Sequence, residues 1–269
     1  MLPSSWRDHA DGAVVRPSAP GPDAPAFYEG MMDFQGEHYA RNAFAMGTTA
    51  ECAALVERCG LVAGTRVLDV GCGDGRHLRA LATDPGVVGL GIDVSGGLVG
   101  VAAAAAARDG IAGAVFARGD ARDLGTLPEV VELVDAGGAD VAWSLCQGAL
   151  GTSPASDAGV VAGLARAVRP GGTVVFTVFH ALFAVRHLVD GDAYDPVHGV
   201  HHQRTEVRGP DHERRTYDLW TSAVTVGEAV RLATDAGLEV RSVDGCEPGR
   251  FGDTGVRLDD PELLVVARA

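Results

Sequence analysis

VLDVGCGDGRH, residues 67–77, decides how this chain is read. A short branched run carries Asp69, glycines alternate at 71, 73 and 75, and Arg76-His77 follow. A strand that enters a glycine-rich turn and then a helix is a ligand cradle. A dinucleotide fingerprint needs G-x-G-x-x-G, and Arg76 stands where its third glycine belongs. A P-loop needs Lys-Ser/Thr, and the sequence contains no lysine. What remains is strand, aspartate and Gly-x-Gly-x-Gly. Gly71 and Gly73 let the backbone pass a ligand with no Cβ in the way. Asp69 suits an ammonium group, received directly or through water.

Working outward, the alternation is regular. RVLDV reads as a buried strand and GRHLRALATD as a helix; VVGLGID and GLVGVAAAAAARDG repeat the pair. AVFARGD and ADVAWSL are the third and fourth strands. SDAGVVAGLARAV is a helix halted by Arg169-Pro170-Gly171-Gly172, and TVVFTVF is the fifth strand. Strands alternating with helices of this length predict parallel βαβ units with right-handed crossovers. Two partly alternating runs then flank Gly209-Pro210-Asp211, which predicts a hairpin insertion over about 195–224. A helix (VGEAVRLATDAGL), a strand (LEVRSVD) and a last strand (ELLVVARA) complete the chain. Residues 1–26 read as a flexible tail, and the aromatic-rich 27–62 as an N-terminal helical lid ahead of a domain at 63–269.

Composition bounds the chemistry. The 269 residues fit one α/β domain with a lid, and all 22 basic residues are arginine, so a Schiff-base lysine is excluded. The formal charge of −14 opposes a polyanion, so a small-molecule partner is expected and nucleic acid is not. No apolar run has the length of a membrane span, no signal pattern opens the chain, and five cysteines form no CxxC pair. The expectation is a cytoplasmic protein without membrane attachment.

The strand ends supply the next test. Asp93 closes the second strand, 22 residues after Gly71, where a carboxylate can take both hydroxyls of a ribose. Gly119-Asp120-Ala121 closes the third, with a carboxylate for an adenine amino group and an N–H for a ring nitrogen. Trp143-Ser144-Leu145-Cys146-Gln147 closes the fourth, at the switch-point crevice of an open sheet. In this order the motifs resemble class I S-adenosylmethionine-dependent methyltransferases, from about residue 27 to the end. VLDVGCGDG resembles the family's first motif, GIDVS its ribose motif, GDARDL its adenine motif and LARAVRPGGTVVFTVF its fifth-strand motif. The resemblance implies a seven-stranded doubly wound sheet whose last strand, ELLVVARA, is antiparallel. It implies S-adenosylmethionine as cofactor and S-adenosylhomocysteine as product. It also implies that Gly71, Cys72 and Gly73 line the methionine part and that Leu145 offers its carbonyl to the methionine amino group. Asp93 and Val94 would take the ribose and adenine, and Asp120 and Ala121 the adenine edge.

The acceptor side is less patterned. Tyr39 and Arg41 are lid candidates, the guanidinium pairing the cofactor carboxylate; His180, ending TVVFTVFH, is the candidate general base. Gln147 is a polar candidate toward cofactor or substrate, and Cys146 reads as a small buried residue. His198, His201 and His202 on a chain entering a strand put the latter two on opposite faces, so no metal site is expected. The function expected is methyl transfer to oxygen, nitrogen or carbon of a small metabolite, in the style of specialised metabolism. The rival readings are a cofactor-binding protein of this fold with a non-methylating reaction, and a macromolecule-modifying methyltransferase.

Overall fold

RVLDV carries branched residues on both faces, and a strand buried on both faces belongs at the centre of a helix-covered sheet. In the computed structural model, which describes residues 24–35, 47–151, 154–209, 213–251 and 255–269, it does so. Strand β1 (Arg66–Val70) lies between β2 (Val88–Asp93) and β4 (Ala139–Ser144), parallel to both. Outward from β2 comes β3 (Ala114–Arg118); outward from β4 comes β5 (Val168–His180). Strand β11 (Glu262–Arg268) enters antiparallel between β5 and β9 (Glu239–Glu247), and the two-residue β10 (Arg250–Phe251) edges the sheet. The order is therefore β10-β9-β11-β5-β4-β1-β2-β3. Seven long strands with one reversed member form the doubly wound sheet that the motifs imply.

Helices cover both faces. Leu55 of α2 (Thr48–Cys59) and Leu78 and Leu81 of α3 (Arg76–Thr83) join one core with Val67, Trp143 and Leu264. On the other face, α5 (Pro128–Asp135), α6 (Pro154–Ala167) and α8 (Val226–Asp235) bury Val130, Val160, Leu164 and Ala229 against Leu68 and Phe176. Local chemistry fixes the ends. Ser95 caps α4 (Gly96–Arg108) by accepting from Leu98 N at 3.1 Å, and Thr225 with Glu228 forms a capping box on α8. Helix α2 lies within the predicted lid segment, yet its apolar face is built into the domain core.

Two features go beyond the sequence expectation. A 3₁₀ turn (Ala121–Thr126) and α5 fill the β3–β4 crossover. Strand β5 also begins at Val168, opposite Ala139, and the ladder resumes past Pro170-Gly171-Gly172 at Thr173, opposite Val141. The hairpin is β7 (Val200–Arg208) against β8 (Arg214–Val224), flanked by β6 (Ala193–Asp195). Its β8 end pairs with β5 at Phe179 and His180, just before the short α7 (Ala181–Arg186) in the chain. Among the described residues no helix is long and apolar enough to cross a membrane.

Candidate active site

The glycine turn is where the backbone is least ordinary. Gly71, Gly73 and Gly75 have φ of 75°, 54° and 70°, a region closed to most side chains. At Gly71 the requirement is also a protein contact: a Cβ there would lie 2.1 Å from the Gly148 carbonyl carbon. The turn after β1 and the loop after β4 are therefore packed backbone to backbone. In that second loop Cys146 and Gln147 hold φ of 52° and 63° without being glycine. Each such residue costs on the order of 1–3 kcal/mol, and strain of this kind collects at functional sites.

Between these loops and the ends of β2 and β3 opens a cleft of about 740 Å³, its mouth included. Of the residues singled out from the sequence, Gly71, Gly73, Asp93, Val94, Asp120, Ala121 and Gln147 line it. Asp69, Cys72, Leu145 and His180 are buried outside that lining, and Tyr39 and Arg41 lie outside the described residues. Met32, Leu98, Arg122 and Gly148 line the cleft as well. Of these only Arg122 had a visible signal, its place two residues after Asp120.

The carboxylates are held differently. Asp93 accepts from Gly73 N at 2.8 Å and Ser95 N at 2.9 Å. Burial raises its pKa against these bonds, so it is fixed in direction with little water around it. Asp69 is fully enclosed, and burial lifts its carboxyl to about 7, with the Trp143 indole opposing. Its Oδ2 has no hydrogen-bond partner among the described residues. Asp120 accepts from Arg122 N at 2.9 Å and pairs with that guanidinium at 2.7 Å. Desolvation raises its pKa, but the Arg122 bonds outweigh it and the net direction is down. The Leu145 carbonyl accepts from Gly148 N at 2.9 Å.

Helix α1 (Ala24–Gln35) covers this region. Asp33 Oδ1 lies 2.6 Å from Ser95 Oγ, one residue beyond Val94, and Met32 lines the cleft. Phe34 meets Tyr217 of the hairpin at 6.3 Å between ring centroids, and the Arg215 guanidinium stands 4.0 Å over the Phe34 ring. One short helix thus touches both the cofactor-side loop and the insertion.

His180 is 2% exposed, and its Nδ1 lies 3.1 Å from the Asp260 carbonyl. A carbonyl only accepts, so Nδ1 carries a proton, which in the neutral ring leaves the lone pair on Nε2. The hairpin histidines are each committed to a separate carboxylate. His198 pairs Asp195 at 2.7 Å, His201 pairs Asp192 at 3.0 Å, and His202 pairs Asp218 at 3.0 Å while stacking on Trp220. Glu51, His77 and Cys146 bring three potential metal-ligand atoms within 4.8 Å of one another. The Arg76 guanidinium already serves that group, bonding Glu51 and approaching Cys146 Sγ at 3.3 Å. Burial also pushes the Cys146 thiol well up, away from a thiolate ligand.

The cleft has the features that S-adenosylmethionine requires. A glycine turn without Cβ atoms at Gly71 and Gly73 suits the methionine end. A fixed carboxylate suits the ribose, and a third strand end suits the adenine. Comparison with known proteins agrees. Residues 67–172 match the family described as methyltransferase domain. No curated protein matches the sequence. Among solved structures, the CcbJ methyltransferase from Streptomyces caelestis is 19% identical, with a TM-score of 0.69 over 90% of this chain and 98% of that one. The glycopeptide N-methyltransferase MtfA, solved with sinefungin, is 16% identical, with a TM-score of 0.56 over 82% and 86%. The [4+2]-cyclase SpnF is 18% identical, with a TM-score of 0.52 over 81% and 79%. Residues 67–172 thus carry a methyltransferase domain, and the chain has the fold of S-adenosylmethionine-dependent methyltransferases.

Proposed function

We propose that the protein methylates oxygen, nitrogen or carbon of a small molecule seated between the cleft, α1 and the hairpin. The supporting observation is that one cleft gathers the ends of β1, β2, β3 and β4 beneath a helix that also touches the insertion. When bound, the cofactor supplies an electrophilic methyl on a sulfonium centre. The chain's own residues hold and enclose it. Gly71, Cys72 and Gly73 shape the methionine end, and Asp69 takes the ammonium. Asp93 and Val94 take the ribose and adenine, and Asp120 and Ala121 the adenine edge. In-line displacement needs orientation and exclusion of water, which a docked α1 provides. His180, with Nδ1 tied to Asp260 and Nε2 bearing its lone pair, is the base for acceptors that must lose a proton. A formal charge of −14 supports a small molecule over a nucleic acid.

The test is calorimetric titration with S-adenosylhomocysteine, followed by a screen of small amines and phenols for its release from S-adenosylmethionine. Binding with methyl transfer supports the proposal, and no binding ends it. Likeness in fold to a protein named as a cyclase favours one rival. Tight binding with no S-adenosylhomocysteine released by any nucleophile would support a non-methylating reaction.

A further inference from the structure

Among the described residues Gln147 is the one side-chain amide on the cleft wall, and it is not loose. It follows Cys146 through two left-handed residues and precedes Gly148, whose backbone packs on Gly71. Its side chain is therefore delivered beside the glycine turn. Its Nε2 donates to Glu262 Oε1 at 2.9 Å. Glu262 is 4% exposed and is the first residue of β11, opposite Phe179 of β5 and Cys246 of β9. A carboxyl buried at the joint of three strands is costly, and burial raises its pKa accordingly. The bond from Gln147 is what offsets that burial. Neither the core nor the strand ladder needs an acid at this position.

We infer that Glu262 is a positioning residue for methyl transfer. By holding the amide nitrogen of Gln147 it turns the amide oxygen toward the point where the methyl leaves the cofactor. There the oxygen accepts a hydrogen bond from the incoming acceptor. This inference rests on the methyltransferase reading and narrows it to N–H and O–H nucleophiles, because a carbon acceptor has no such hydrogen to offer. Glu262 touches neither cofactor nor acceptor and acts through Gln147. Reversal of β11 is what brings its first residue to this edge of the sheet.

The test needs no knowledge of the acceptor. Sinefungin carries an amine where S-adenosylmethionine carries its methyl, whereas S-adenosylhomocysteine has nothing there. Both are titrated by calorimetry into the parent protein, Gln147→Leu, Glu262→Leu and Glu262→Gln. Loss of one hydrogen bond to a charged group should weaken sinefungin roughly tenfold in Gln147→Leu and Glu262→Leu, with the homocysteine product changed less than about twofold. Glu262→Gln keeps an acceptor at this position and should recover sinefungin affinity relative to Glu262→Leu. Equal weakening of both ligands, or weakening of neither, overturns the inference and leaves the methyltransferase reading standing. Failure of the parent to bind S-adenosylhomocysteine removes that reading and the inference together. If Glu262→Leu does not fold by circular dichroism, Glu262→Ala takes its place in the comparison with Glu262→Gln.

Discussion

Glu51 and Arg76 form an ion pair sealed between α2 and the first residue of α3, with the glutamate side chain fully buried. The same carboxylate accepts from His77 Nε2 at 2.7 Å and Gly249 N at 2.8 Å, and Arg76 also donates to Thr48 at 2.7 Å. The arginine that spoils a dinucleotide fingerprint is thus a tie between the glycine turn and the N-terminal helix. Removing one partner of such a pair leaves the other charge buried and unpaired. Glu51→Ala should cost about 3–5 kcal/mol in urea unfolding. A loss below about 1 kcal/mol would show the network to be slack.

Acid should loosen the same tie. Desolvation raises the Glu51 pKa, but the bonds from His77 and Gly249 and the Arg76 charge outweigh it, so the folded value lies below 4.5. A depressed carboxyl contributes stability that is present above its unfolded pKa and lost as pH falls through the folded value. The His77 pKa is lowered too, chiefly by burial, and its ring shares the Nε2 bond with Glu51. Denaturation midpoints measured from pH 6 down to 3 should fall in the parent and fall less steeply in Glu51→Ala.

If Asp69 meets the ammonium as proposed, cofactor affinity should depend on pH. Its carboxyl titrates at about 7 when enclosed without a cation. An ammonium group binds the ionised form, so binding must release a proton wherever Asp69 starts protonated. Affinity for S-adenosylhomocysteine should therefore rise with pH up to about 7 and then level off until the ligand's own amine titrates. At pH 6, calorimetry in buffers of different ionisation enthalpy should count the released proton, and Asp69→Asn should abolish that release. A pH-independent affinity would mean that Asp69 does not meet the ammonium.

Asp93 carries the ribose assignment. Its two backbone bonds aim the carboxylate before any ligand arrives, so the affinity it confers is not spent on ordering it. Asp93→Ala should weaken S-adenosylhomocysteine by roughly one to two orders of magnitude, as for the loss of a charged hydrogen-bond acceptor. Unchanged affinity would contradict the assignment.

The contact between Asp33 and Ser95 predicts a kinetic effect. Breaking it leaves the cleft walls intact and frees one end of α1. Asp33→Ala should speed release of S-adenosylhomocysteine roughly threefold in stopped flow, the range of a partly exposed hydrogen bond, with a smaller change in association. A slower release would show that α1 hinders ligand retention rather than helping it.

Much of this was legible because strand ends are local. Asp93, Asp120 and Gln147 follow branched runs directly, and the sheet's crossovers bring such ends to one edge. The pairs that hold the site were not legible. Arg76 meets Glu51 across 25 residues and Gln147 meets Glu262 across 115, and no spacing rule connects them. Gly71 shows the same limit, since its glycine could be foreseen from the turn but not its contact with Gly148. Phe34 looked like any aromatic on a helix face until the hairpin supplied Tyr217 and Arg215 around it.

The reversed strand has one more consequence. Parallel strands present only their final residues to the binding edge, so each crossover is committed to a single position there. Strand β11 arrives in the opposite sense and presents its beginning, with Asp260 and Pro261 bonded to His180 from the loop before it. The chain's last segment therefore meets His180, the proposed base, directly, although it takes no part in the glycine turn. If His180 serves the acceptor as proposed, substitutions in 255–261 should change which molecule is methylated more than they change binding at the glycine turn.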